Sequence, residues 1–293
     1  MLLVPKVNRF AFTYDNWGAN FGTSAGTSVV PGASNVYGSW TEVISDANVT
    51  TDIWAIEISI TGGNTANSDK SQLVDIGYDP AGGTTYVSIF GDTATVGQAA
   101  TKAWVCGNVG TLGTTGPDMV ANLPLRIPSG SAIAVRLQGS NGTAGTVRVL
   151  VKLYGKPSAP DITPRGGIAR IIGAVTNSGG VSFTPGNAAD GAWTSLGATD
   201  SNLWWWQLGV QCSNGTQTAL YYYFDLAYGD GSNYHLIHRQ ARFTNTSETS
   251  RLGTSSHYSE AFCHVPSGAT LYVRGRCNAA PTSGWNANVI GIG

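Results

Sequence analysis

The chain has 293 residues, with 16 Lys and Arg against 17 Asp and Glu, for a formal charge of −1. Only 11% of residues are charged, so the surface is built from uncharged polar groups, and the balanced charge argues against nucleic-acid binding, which needs clustered cations. The 39 glycines and 12 prolines leave little room for long helices, and the apolar runs fall far short of a membrane span.

The first segment, Met1-Leu2-Leu3-Val4-Pro5-Lys6, lacks a basic stretch followed by an apolar one, so no signal peptide is recognised and synthesis in a host cytoplasm is expected. The four cysteines, Cys106, Cys212, Cys263 and Cys277, form no Cys-x-x-Cys pair, which argues against a disulfide or zinc framework. Residues 1–17 form an N-terminal arm in which Phe10, Phe12 and Tyr14 alternate as in a strand. The arm is expected to pair outside the unit that follows or to dock on a particle partner.

From residue 18 the chain is written twice. Gly26-Thr27-Ser28-Val29-Val30-Pro31-Gly32 resembles Gly180-Val181-Ser182-Phe183-Thr184-Pro185-Gly186, and Trp40 has a counterpart in Trp193. Asp52-Ile53-Trp54 matches Asn202-Leu203-Trp204, and Asp75-Ile76-Gly77-Tyr78 matches Asp225-Leu226-Ala227-Tyr228. Pro128-Ser129-Gly130 then matches Pro266-Ser267-Gly268, and Val135-Arg136 matches Val273-Arg274. Collinear matches of this kind indicate a tandem duplication. The expected units are residues 18–155, a connector 156–167 stiffened by three prolines, and residues 168–293.

Each copy reads as β-strand. Trp54, Ile56, Ile58 and Ile60 alternate with Ala55, Glu57 and Ser59, and Trp204, Trp206, Leu208 and Val210 repeat the inward set. Short strands are separated by turn signals such as Asp79-Pro80-Ala81-Gly82-Gly83 and Gly229-Asp230-Gly231. The expected fold class is all-β: two tandem jelly-roll-like β-sandwich domains from an internal duplication. Strand number points to sandwiches; the jelly-roll connection is not readable from pattern.

Groups for catalysis are few. The histidines, His235, His238, His257 and His264, all lie in the second copy, and His235 and His238 are spaced for opposite faces of a strand, which is poor for joint metal ligation. Asp225 with Asp230, or Glu248 with Glu260, could be drawn as a glycosidase pair, but Asp225 repeats Asp75 and reads as a structural carboxylate. Nucleophile-elbow, phosphate-loop and zinc-protease motifs are missing from the sequence, so no catalytic residue, metal or cofactor is expected, and neither is enzymatic activity.

The copies differ most on one outer face. Where the first has Ala55 and Glu57, the second has Trp205 and Gln207; alternation also turns Tyr221, Tyr223, Asp225, Tyr272, Arg274 and Arg276 outward. Flat aromatics beside Gln, Asp and Arg suit a glycan, whose C–H face stacks on rings while planar polar groups bond its hydroxyls. On this reading Trp205 can be truncated without loss of stability. The same composition equally suits a subunit or interdomain interface.

The run from Leu123 to Gln138, with Leu123-Pro124-Leu125-Arg126-Ile127-Pro128-Ser129-Gly130 at its head, resembles a phrase of tailed-phage, prophage and gene-transfer-agent structural proteins. Val74-Asp75-Ile76-Gly77-Tyr78-Asp79-Pro80-Ala81-Gly82-Gly83 resembles a second such phrase, and the two span most of the first copy. In the second copy Phe262-Cys263-His264-Val265 replaces the proline-containing lead-in. The resemblance implies a virion surface protein of head-spike, fibre or decoration type. The expected function is attachment to a host capsule or surface polysaccharide, with other virion proteins as partners and homo-oligomers compatible. The alternative is a purely structural capsid decoration protein or double-jelly-roll capsid subunit.

Overall fold

The computed structural model describes residues 13–16, 26–32, 36–61, 71–90, 104–108, 119–139, 147–155, 169–173, 180–212, 221–243, 260–280 and 285–293. These residues form β-strands with one 3-10 turn at Asp46–Asn48, and no α-helix occurs among them. The first ten strands are β1 (Thr13–Asp15), β2 (Thr27–Val29), β3 (Thr41–Ile44), β4 (Ile53–Thr61), β5 (Ser71–Asp79), β6 (Val87–Ser88), β7 (Trp104–Asn108), β8 (Met119–Leu123), β9 (Ala132–Gly139) and β10 (Val147–Gly155). The second ten are β11 (Ala169–Ile172), β12 (Val181–Phe183), β13 (Gly186–Asn187), β14 (Thr194–Ala198), β15 (Leu203–Cys212), β16 (Tyr221–Gly229), β17 (Tyr234–Phe243), β18 (Glu260–Val265), β19 (Thr270–Cys277) and β20 (Trp285–Ile292).

The strands make four sheets. One runs β1-β10-β4-β8 with β2 also on β10, and its companion runs β3-β9-β5-β6 with β7 also on β5. The later strands repeat this order as β11-β20-β15-β18 with β12 on β20, and as β13-β19-β16-β17 with β14 on β19. In each half the chain passes back and forth between the two sheets, so strands adjacent in sequence are rarely adjacent in space. This connectivity is that of a double-sheet jelly roll, occurring twice.

Alternation explains the cores. Ile56 and Ile58 of β4 lie opposite Leu153 and Val151 of β10, and all four are buried. In the second half Trp206, Leu208 and Val210 of β15 meet Tyr222, Phe224 and Leu226 of β16 in one apolar cluster. One detail departs from simple alternation. The register slips between Leu203 and Trp205, and near Ile53 in β4, so Leu203 and Ile53 turn inward while Trp204 stays exposed.

The repeated Pro-Ser-Gly phrase is one turn built twice. Gly130 and Gly268 have φ of 74° and 84°, a region that favours glycine, and their N–H groups donate to Val49 (2.7 Å) and Thr199 (2.8 Å). The preceding serine N–H donates to the Asp52 carboxylate (3.1 Å) in the first half and to the Asn202 side-chain oxygen (3.0 Å) in the second. The turn therefore needs a side-chain acceptor at that place and a glycine after the serine.

One expectation is corrected by the strand pairing. Thr13–Asp15 of the N-terminal arm is hydrogen-bonded to β10 as an edge strand of the first sandwich, with Tyr14 packed on its core, rather than free for an external partner. Phe10, Phe12 and the connector 156–167 lie outside the described residues. The apolar cluster of the first sandwich also continues onto Ala169, Ile171, Trp205, Ile290 and Ile292 of the second half. There β7 lies against β15 and β20.

Candidate functional site

The outer surface of the β14-β19-β16-β17 sheet carries a row of polar and aromatic side chains. Because Tyr222, Phe224 and Leu226 of β16 and Leu271, Val273 and Cys277 of β19 are buried, the intervening residues turn outward. Cross-strand register then sets them in rows. Asp225 faces Arg274 on one side and Arg239 of β17 on the other, and Tyr223 faces Arg276.

The Asp225 carboxylate anchors the middle row. Arg239 donates Nε to Oδ1 (2.5 Å) and Nη2 to Oδ2 (2.8 Å), and Arg274 donates Nε to Oδ2 (2.9 Å). Nη2 of Arg274 also reaches Asp190 at 2.8 Å. Burial pushes the Asp225 carboxyl up, but the bonds and charges of Arg239 and Arg274 outweigh it and hold the group below the usual carboxylate range. Asp225 is thus a fixed anion and a poor proton donor. Its proposed glycosidase companion, Asp230, accepts three bonds from Ser232 and Asn233 in the β16–β17 turn, which lower its pKa to about 2. Glu248 lies outside the described residues.

Aromatic rings flank this row on one side. The Arg274 guanidinium sits 4.4 Å from the centroid of Trp193, which stacks on Tyr234 at 4.9 Å, and Tyr234 meets Tyr272 edge-on at 5.1 Å. On the other side lies an open groove of about 510 Å³, lined by Tyr221, Tyr223, Arg239, Arg276 and Asn278. Tyr221 and Tyr223 are 44% and 43% exposed at its rim. The sheet holds these groups firmly, since Asn278 accepts from the Tyr221 N–H and so ties the β16 terminus to the strand end of β19.

The first sandwich carries the same core device. Asp75 pairs with Arg136 at 2.7 Å, and the Arg136 guanidinium lies 4.0 Å from the Tyr37 ring and 4.4 Å from Trp40. Both charged groups are buried there, and Ser88 donates to Asp75. Leu73 and Gln138 hold the places of Tyr223 and Arg276. Tyr37 pairs with Gln138 through a β-bridge, and Gln138 is buried. In the second half β13 pairs with β19, and Ala188, the residue after it, lies at the groove rim.

Not all of the expected site residues come together. Tyr221, Tyr223, Asp225, Tyr272, Arg274 and Arg276 share one face, but Trp205 and Gln207 belong to the other sheet and are each 1% exposed. Their face was correctly read as opposite to the second core, yet it is covered: Trp205 is packed into the apolar cluster of the first sandwich. A ligand cannot reach it, and the interface alternative holds for this pair. The ring exposed on β15 is Trp204, set against His264 at 4.1 Å. Trp193, Tyr234, Asp190 and Arg239 were missed. Counting back through the Gly229-Asp230-Gly231 turn could have placed Arg239 opposite Asp225.

Among the described residues no His, Cys, Asp and Glu cluster is suited to a metal ion. His235 stacks on Tyr228, and burial holds His238 below the usual histidine range.

No protein-family model and no curated protein matches the chain. Among solved structures it is similar to PNGF-II, with 10% identity and a TM-score of 0.41, covering 96% of this chain and 65% of that one. It therefore spans about two thirds of that protein. PNGase F from Flavobacterium meningosepticum matches with 11% identity and a TM-score of 0.37 over 96% of both chains. The CBM22-1-CBM22-2 tandem domain of Paenibacillus barcinonensis Xyn10C matches at 11% identity and a TM-score of 0.26 over 99% of both. A structure of Sulfolobus Turreted Icosahedral Virus matches at 10% identity and a TM-score of 0.30, over 92% of this chain and 91% of that one. The similar structures thus include an enzyme, a carbohydrate-binding tandem and a virus. The expectation that the chain is not an enzyme is corrected on this finding, because PNGase F is an asparagine amidase.

Proposed function

We propose that this chain is a virion surface protein that binds a host-surface polysaccharide through the outer face of its second sandwich. The observation that carries this reading is the groove beside Arg239 and Arg276, rimmed by two half-exposed tyrosine rings on a rigid sheet. Its volume falls in the range, roughly 300–1,000 Å³, of sites for small organic ligands. The jelly roll, an architecture that recurs in viral capsid and lectin domains, suits both parts of the reading. The resemblance of Leu123–Gln138 to phage structural phrases supports the particle as its setting. The first sandwich, in which Arg136 and Gln138 on the corresponding face are buried, would serve as the docking module on other virion proteins.

A single groove of this size gives weak attachment, so several copies on one particle must act together. Tyr223→Ala should weaken retention on immobilised host polysaccharide about fivefold, the equivalent of ~1 kcal/mol for one stacked ring. Its melting temperature should stay within a degree or two of the parent, because the ring is near the surface. Reducing-end release is measured in the same experiment and reports any bond cleavage. Unchanged retention of the variant would count against the groove as the site.

A further inference from the structure

We infer that the groove takes an anionic saccharide, one bearing carboxylates of the uronic-acid kind. The inference rests on the glycan-binding reading and narrows it. Of the residues lining the groove two are cationic, Arg239 and Arg276, and none is acidic. The nearest carboxylate, Asp225, is already spent on Arg239 and Arg274 through three hydrogen bonds, and Asp190 is bonded to Arg274. Arg276 is exposed and makes no ion pair among the described residues. Arg239 is 48% exposed; its Nε and Nη2 bond Asp225, Nη2 lies 4.0 Å from Asp190, and Nη1 makes no ion pair among the described residues.

Two guanidinium groups thus stand beside the tyrosine rings with donors to spare, on a chain where charges are scarce. Each presents a planar fork that matches a carboxylate in two parallel bonds. The first sandwich shows the contrast: Gln138 stands where Arg276 does and is buried, and Leu73 stands at the register position of Tyr223. The cationic groove is therefore a property of the second copy, laid over a device that both copies share. Rings and guanidinium groups divide the work, the rings taking the sugar face and the arginines its carboxylate.

The full chain would be tested by surface plasmon resonance on immobilised polygalacturonate, alginate, their carboxyl-reduced forms, dextran and dextran sulfate. The expected result is retention on at least one uronate, weakened about tenfold or more when its carboxylates are reduced to alcohols. Arg276→Gln should erase that difference without changing the melting temperature, while Tyr223→Ala should weaken binding to the native and reduced forms alike. Equal binding to native and reduced forms, lost in Tyr223→Ala, would overturn the anionic assignment and leave the glycan site standing. Dextran sulfate retained as well as the uronates would overturn it too, in favour of unspecific charge attraction. Retention on none of these surfaces, with none on host polysaccharide, would overturn both the inference and the reading beneath it.

Discussion

Replacing Trp205 with alanine should destabilise the chain by about 3–5 kcal/mol, the usual cost of emptying a buried Trp site. Trp205 is 1% exposed and packs into the apolar cluster of the first sandwich from a strand of the second. The lost volume therefore falls where β7 meets β15 and β20, and neither core can collapse into it without moving the other. At roughly 2–4 °C per kcal/mol for a protein of this size, the melting temperature should drop on the order of 10 °C. Differential scanning calorimetry should also show the transition broaden or split as the two sandwiches uncouple. Trp204→Ala is the control. Its ring is 47% exposed, next along the same strand, and should shift the transition little. Equal effects of the two substitutions would show that the interface contributes nothing to stability.

Asp75→Ala should be comparably severe, at about 3–5 kcal/mol, because it leaves the Arg136 guanidinium buried without its partner. Both side chains of that pair are nearly inaccessible, with 2% and 0% exposure, and Arg136 is wedged against Tyr37 and Trp40. The equivalent Asp225→Ala in the second sandwich should cost clearly less. Arg239 is half exposed and can turn to water, and Arg274 retains Asp190. Denaturant midpoints of the two variants measure the difference. Replacing both Asp75 and Arg136 by apolar residues of similar size should recover much of the loss. An Asp225 variant weaker than the Asp75 variant would contradict the view that the shared pair is sealed in one copy and open in the other.

Much of this fold could be read directly from residues. Matches between Asp75 and Asp225, Arg136 and Arg274, and Trp40 and Trp193 marked the duplication, and the structure shows their physical reason: in each copy they form one cluster. Alternation placed Tyr221, Tyr223, Arg274 and Arg276 outward because β16 and β19 are regular from end to end. It misplaced Trp204, since a slip of register by one residue is invisible to a period-two pattern. Alternation also says which face a residue is on, and nothing about what lies over that face. Trp205 and Gln207 were legible as opposite to the second core, but the sandwich that covers them is a long-range packing choice. Trp193 escaped for the same reason, since it meets Arg274 only across strands distant in sequence, whereas Arg239 was within reach of a hairpin count through the Gly229-Asp230-Gly231 turn. The arm misled because three residues of alternation fit an edge strand at home as well as one that leaves.

Hydroxyl-radical footprinting of the intact chain, with and without the polysaccharide that retains it, tests the central claim most directly. Two aromatic patches on the second sandwich are similarly open, Tyr221 and Tyr223 at the groove, and Trp204 and Phe262 on the other sheet, at 47% and 62% exposure. Binding should protect Tyr221 and Tyr223 and leave oxidation of Trp204 and Phe262 unchanged. Protection of Trp204 and Phe262 with the tyrosines still reactive would contradict the account and move the site to the opposite sheet.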